Sequence, residues 1–386
     1  MKALFVDAQW KPREGYPLSA RESASRRALV GSKVWKDPVF EIRETPAPAP
    51  EDTEVLIRVK SCGVCGSDTH LYETDGDGYI LFSGLARFPC ILGHEFSGVV
   101  EETGGKAANL KKGDLVAVES VMWCGLCRSC RGGAPNQCEN VELLGLSVNG
   151  AIAEYVAVNE RYCWKIDGLR EAYPEEDIFD IGALIEPIGC AYNGIFVAGG
   201  GFLPGATVVV HGAGPIGLGA IALARVCGAS LIIAFDVYDG RVEAARRMGA
   251  DYAFNSRGLG GQSPSDKVME LTRGEGAGVQ VEAAGAAPLT IPEMERSMAS
   301  QGRIIYLGRA AASTPMHLDR LVSGANRIVG ARGHAGYGIF PNIISLISRG
   351  RLDPSPMISR RFPFDGAIEA LKASVNRNEC KVMVKL

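Results

Sequence analysis

The chain has 386 residues, enough for two domains with separate cores. Its 41 basic residues nearly balance 44 acidic ones, which leaves no electrostatic footprint for nucleic acid or an anionic membrane. Hydrophobic content is that of an ordinary soluble protein, and eleven cysteines, an odd number with metal-type spacing, point to a reducing cytoplasm.

In chain order, the run Met1-Lys-Ala-Leu-Phe-Val6 reads as a short strand and not as a signal peptide, because Asp7, Gln9, Trp10 and Lys11 interrupt it at once. Residues 12–40, rich in Arg, Ser and Lys, show no clear period. Short β-rich runs follow at 54–60, 97–103, 114–120 and 153–158. Two motifs lie among them: Cys65-Gly-Ser67-Asp68-Thr-His70 and Gly93-His94-Glu95-Phe-Ser-Gly98. They bring together a thiol, an imidazole and a carboxylate, and Glu186, in Ile-Glu-Pro, is a further acidic candidate. A catalytic zinc takes three protein ligands and keeps one position open for substrate oxygen. Taken singly, Cys65 reads as a small buried residue, His94 as a core histidine and Glu186 as a surface charge.

Cys124, Cys127, Cys130 and Cys138 are the densest signal in the chain. Four thiols so close together cannot all pair with one another in a tight loop, but they can enclose a tetrahedral ion with no vacant position. Such a closed site holds a loop in place and does no chemistry.

Beyond about residue 190 the texture changes to strands alternating with amphipathic helices, the signature of a parallel sheet. Runs at 207–211, 231–235, 279–282 and 303–307 suit central strands, and 217–226 and 240–248 carry helical spacing. A helix at 342–348, another near 364–376 and a strand at 381–386 close the chain. The apolar stretch 208–235 has too much glycine, and an internal Arg225, to cross a membrane. Within it, Gly212-Ala-Gly214-Pro-Ile-Gly217 follows a strand and opens a helix, the arrangement that seats a pyrophosphate. Asp236, nineteen residues past Gly217, ends the next strand. Its carboxylate can accept from both adenosine ribose hydroxyls and would repel a 2′-phosphate, so NAD is expected over NADP. A helix cap is the alternative for Asp236.

Together these motifs resemble the zinc-dependent medium-chain dehydrogenases, the family of alcohol, sorbitol and threonine dehydrogenases, over nearly the whole chain. The resemblance implies an α/β protein: a GroES-like β-rich catalytic domain (1–189 and 334–386) with a structural zinc lobe, and a Rossmann doubly wound parallel-sheet domain (190–333) that binds NAD. It implies two zinc ions, one catalytic and one structural. Cys65 and His94 would bind the catalytic ion, with Glu95 or Glu186 as the third ligand. Alcohol dehydrogenases proper have cysteine where Glu186 stands, which places this chain on the polyol and sugar side. Ser67 and His70 would form a proton relay, and Asp68 would fix the tautomer of a ligand histidine or cap a helix. Gly212, Gly214, Gly217, Asp236, Arg241 and Lys381 would contact the coenzyme, with Lys381 near the pyrophosphate.

Two departures from that family stand out: an insertion at 11–35 and a long polar stretch after His70 carrying Glu73, Asp75 and Asp77. The long opening, with Gly-Ser-Lys-Val-Trp at 31–35, resembles the inosose (cyclitol) dehydrogenases. The expected substrate is therefore a small polyhydroxy compound, with the three acids and His334 as candidate hydroxyl partners. A threonine-type amino alcohol dehydrogenase and a catalytically inactive nucleotide-binding relative are the alternatives. A cytoplasmic homo-oligomer, a dimer or homotetramer, with no nucleic-acid or membrane partner completes the expectation.

Overall fold

The computed structural model describes residues 1–309 and 313–386. The chain divides into two compact units, 1–186 with 358–386, and 187–357. Residues 334–357, grouped with the catalytic domain in the sequence expectation, fall in the second unit.

The first unit is β-rich. Its largest sheet runs Cys163–Lys165, Leu115–Val118, Glu95–Thr103, Glu54–Val64, Lys381–Lys385, Ile358–Pro363, with Tyr155–Asn159 also paired to Glu54–Val64. The strand Glu54–Val64 is buried along most of its length, with its charged residues Glu54, Arg58 and Lys60 at the half-buried positions. Register decides what meets at its end. Gly63 pairs with Glu95, and Val64 pairs with Val382. The residues flanking those pairs, Cys65, His94 and Lys381, are thus delivered to one edge of three neighbouring strands. A smaller sheet joins Trp35–Glu44, Lys2–Trp10 and Cys90–Ile91. The non-periodic opening contains a short helix, Ala20–Ser25, started by a Ser19–Glu22 capping box.

The second unit holds a six-stranded parallel sheet in the order Tyr252–Asn255, Leu231–Asp236, Thr207–His211, Ala277–Glu282, Met298–Tyr306, Arg327–Gly330. Counted along the chain that is 3-2-1-4-5-6, the doubly wound order, whose reversal point lies between the strands ending at His211 and Glu282. Helices Pro215–Val226 and Asp239–Arg247 follow the first two strands. The expected helix at 342–348 begins three residues earlier, at Ile339. The helical run Glu175–Ala198 is apolar and long enough to span a bilayer, yet 72% of its apolar window is buried within the protein, the pattern of a core helix.

Candidate metal centres and coenzyme site

The strand Glu54–Val64 stops where Cys65 becomes the N-cap of the helix Gly66–Tyr72. The Cys65 N–H donates to Asp68 Oδ2 at 2.9 Å, so Asp68 turns the chain and is itself fully buried. One ligand atom each from Cys65, His94 and Glu95 lies within 4.8 Å of the others. His94 presents its two nitrogens to different neighbours: Nε2 is 3.1 Å from Ser67 Oγ, and Nδ1 is 3.6 Å from Asp68 Oδ1. Both His94 Nδ1 and Asp68 Oδ1 are buried without a hydrogen-bond partner, although a small closure of that gap would join them.

Burial pulls the His94 pKa down. The charges of Asp68 and then Cys65 and Glu186 push it up by more, leaving it well above the ordinary value. Surroundings that favour a proton on this imidazole favour any cation there. A soft thiolate, an imidazole and a carboxylate within reach of one another, with a carboxylate behind the imidazole, are the donor set of an open zinc site.

Glu186 stands to one side of that trio. Buried in the first turn of the helix Ile185–Tyr192, it accepts from Ser120 Oγ at 2.8 Å. Lys381 departs from expectation. The structure buries it in the first unit, where Nζ donates to the Val64 carbonyl at 3.0 Å and pairs with Glu95, in place of the expected pyrophosphate position. Its pKa is raised despite burial, because Glu95 and Cys65 supply compensating charge. The cause is register: Lys381 opens a strand whose next residue pairs with Val64, which aims the ammonium at the metal-ligand edge. A side chain at Gly63 would press on Glu95 and on Lys381 Cδ, at 3.3 Å, so glycine there makes room for the pair.

His70 is half-buried, one helical turn past Ser67. The acids expected to receive substrate hydroxyls are otherwise engaged. Glu73 pairs with Arg377 at 2.7 Å, and Asp75 accepts the N–H groups of Asp77 and Tyr79 and pairs with Arg13, as does Asp77. At the loop's turn, Asp75 spends its carboxylate on satisfying the loop's own backbone. His334 is fully buried in the second unit with its ring against Phe340, at 5.2 Å.

The four lobe cysteines also converge within 4.8 Å, and all are free of disulfides. Their sulfurs accept N–H groups from Cys124, Leu126, Cys127, Cys130 and Asn140 at 3.3–3.5 Å. Donors aimed at sulfur stabilise thiolate: the N–H groups of Leu126 and Cys127 bring the Cys124 pKa down to about 6. The set is closed, with no position left for substrate.

In the second unit Gly212 sits at φ +94°, and a Cβ there would come within 2.6 Å of the Ala284 nitrogen. A Cβ on Gly217 would collide with the Gly212 backbone. Gly214, the N-cap of the helix Pro215–Val226, is open by contrast, with only Arg241 Nη1 near its Cβ position at 3.8 Å. The first and third glycines are thus demanded by the chain itself, and the second leaves space at a helix N-terminus. Asp236 is buried at the adjoining strand end, accepting from the N–H groups of Ala213 at 2.7 Å, Val237 at 2.7 Å and Tyr238 at 3.0 Å. Those bonds fix the carboxylate beside the glycine turn. The guanidinium groups of Arg241 and Arg257 lie 5.4 and 5.8 Å from the Tyr238 ring. Ser120 and the Lys381–Glu95 pair were missed by sequence reasoning. The apolar Val-Met-Val after Lys381 was the one signal that its strand is internal.

A doubly wound sheet with an open glycine turn, in a chain that also carries one open and one closed set of zinc-type ligands, defines a zinc dehydrogenase. The family profile "Alcohol dehydrogenase GroES-like domain" matches residues 51–168, and "Zinc-binding dehydrogenase" matches 215–349. The chain is 39% identical over 383 residues, 96% of each chain, to scyllo-inosose 3-dehydrogenase of Thermotoga maritima. It is 33% identical over 348 residues to L-threonine 3-dehydrogenase of Saccharopolyspora erythraea, covering 90% of this chain and 95% of that one. A solved structure from Thermotoga maritima superposes with a TM-score of 0.95 at 37% identity over all of both chains. The chain belongs to the zinc-binding alcohol dehydrogenase family.

Proposed function

We propose that this protein is an NAD-dependent zinc dehydrogenase that oxidises a secondary hydroxyl of a cyclitol or related polyol, or reduces the matching ketone. The observation that carries the substrate class is the similarity to scyllo-inosose 3-dehydrogenase over 96% of this chain. The chemistry rests on the Cys65–His94–Glu95 cluster with Ser67 against His94. Cys65 and His94 would hold the catalytic ion, with Glu95, released from Lys381, or Glu186, released from Ser120, as the third ligand. When bound, zinc supplies the Lewis acidity that makes a hydroxyl acidic near neutral pH, and NAD supplies the hydride acceptor.

The chain's own residues do the rest. Asp68, 3.6 Å from His94 Nδ1, would by closing that gap keep the proton on Nδ1 and leave the Nε2 lone pair for the metal. Ser67 Oγ takes the hydroxyl proton and hands it on toward His70. The turn at Gly214 and Arg241 receives pyrophosphate, while Asp236 accepts ribose hydroxyls. Cys124, Cys127, Cys130 and Cys138 would hold the second zinc and keep their loop folded.

Metal release tests this assignment. Four thiolates with no open position resist chelators, whereas a mixed site with a replaceable position does not. Mild chelation should remove one zinc and all activity while the other zinc stays. Full activity with a single bound zinc would overturn it.

A homo-oligomer, dimer or tetramer, fits the exposed edge of the parallel sheet. The strand Arg327–Gly330 leaves Ile328 39% exposed, and the preceding helix Leu318–Ser323 shows Leu318 and Val322 at 68% and 81%. Light scattering should give a multiple of the chain mass that Val322→Glu lowers; a monomer for the parent protein would refute it. Eleven free cysteines suit the reducing cytoplasm as its location.

A further inference from the structure

The two departures from the family pattern, residues 11–35 and 72–88, fold as one piece. Ala28 and Ala86 exchange backbone hydrogen bonds at 2.9 and 3.0 Å, Gly31 donates to the Gly84 carbonyl at 2.9 Å, and Ser32 to that of Phe82 at 2.8 Å. Trp35 Nε1 reaches the Ala86 carbonyl at 3.1 Å. The side chain that ties the pieces together is Arg13. Its guanidinium lies 3.8 Å from the Tyr79 ring centroid, pairs with Asp75 and with Asp77 at 3.2 Å, and returns to the Ser32 carbonyl through Nε. At its far end the insertion is anchored by Arg27 to Glu142 at 3.0 Å and to the Val141 carbonyl, three residues past Cys138.

Residues 73–89 are the covalent link between the helix carrying Ser67 and His70 and the strand that leads to His94. They also touch that helix directly: Phe82 N–H donates to the His70 carbonyl at 3.0 Å, and Glu73 N–H to that of Thr69 at 2.8 Å. The loop is thus bonded to the helix that carries Ser67 and His70, and its shape depends on what clamps it.

We propose that Arg13 is a positioning residue for substrate: by clamping Asp75, Asp77 and Tyr79, it fixes the wall that receives the polyhydroxy ring beyond the reacting carbon. The inference rests on the dehydrogenase reading above. Arg13 touches neither metal ligand nor coenzyme residue, so its effect falls on binding of the larger substrate and not on the hydride step.

The test compares Arg13→Ala and Arg13→Lys with the parent enzyme, using the best substrate from a hydroxyl panel and a four-carbon vicinal diol. Amide hydrogen exchange is read in parallel. Arg13→Ala should raise the KM of the best ring substrate about tenfold, with kcat and the KM for NAD within about twofold. The small diol, too short to meet the wall, should be unaffected, and Arg13→Lys should recover part of the loss because it keeps one ion pair. Exchange should quicken at 72–88 while 207–236 stays protected. Unchanged exchange in the loop, an unchanged ring-substrate KM, or equal losses on both substrates would overturn the proposal. Failure of the polyol reading would show separately, as a best substrate that is not a polyol.

Discussion

Asp236 shows how one carboxylate sets coenzyme choice. Three backbone N–H groups hold it in place, so its charge stays fixed at the strand end and cannot swing away from a 2′-phosphate. Asp236→Asn removes the charge while keeping an acceptor for Val237 and Tyr238. The preference for NAD over NADP should shrink by about tenfold, the equivalent of about 1.4 kcal/mol. Paired kcat/KM values for the two coenzymes read the effect. A parent enzyme that prefers NADP would show that the arginines around Tyr238 outweigh the carboxylate. His94 is a second case of the same economy, with Asp68 behind Nδ1 and Ser67 before Nε2, so that two consecutive residues of one helix serve the two nitrogens of a single ring.

Among the elements, the opening insertion depends on Glu22, buried and accepting from the N–H groups of Ser19 and Leu29 and from the hydroxyls of Ser19 and Tyr16. Burial pulls its pKa up, but those donors, Leu29 foremost, hold it below the ordinary 4.5. A carboxyl with a depressed folded value stabilises above its unfolded pKa, and the contribution is lost as pH falls through the folded one. Hydrogen exchange at 19–31 should therefore quicken below about pH 4, and Glu22→Gln should bring that faster exchange to neutral pH and flatten its pH dependence. Exchange that ignores both changes would contradict the assignment. This element was illegible in sequence, because its order comes from one capping box and from docking to residues 82–86, neither of which leaves a period. The Rossmann strands were legible because burial on both faces forces continuous apolar runs, and the glycine turn because its first and third positions admit no Cβ. The Cys65–His94–Glu95 cluster was legible as residue types. Its pairing with Lys381 was not, since strand register is long-range information.

At the scale of the whole molecule, a β-rich unit gathers zinc-type ligands at one sheet edge and a doubly wound unit presents an open helix terminus. A site built for several hydroxyls rejects analogues lacking them, because the polar groups left unpaired are costly. The direct measurement is the kcat/KM of the zinc-loaded enzyme with NAD across inositols, inososes, sorbitol, threonine, cyclohexanol and ethanol. The account predicts a cyclitol or inosose as best substrate, with cyclohexanol at least about a hundredfold poorer. Comparable turnover of the simple alcohols, or threonine as best substrate, would contradict it.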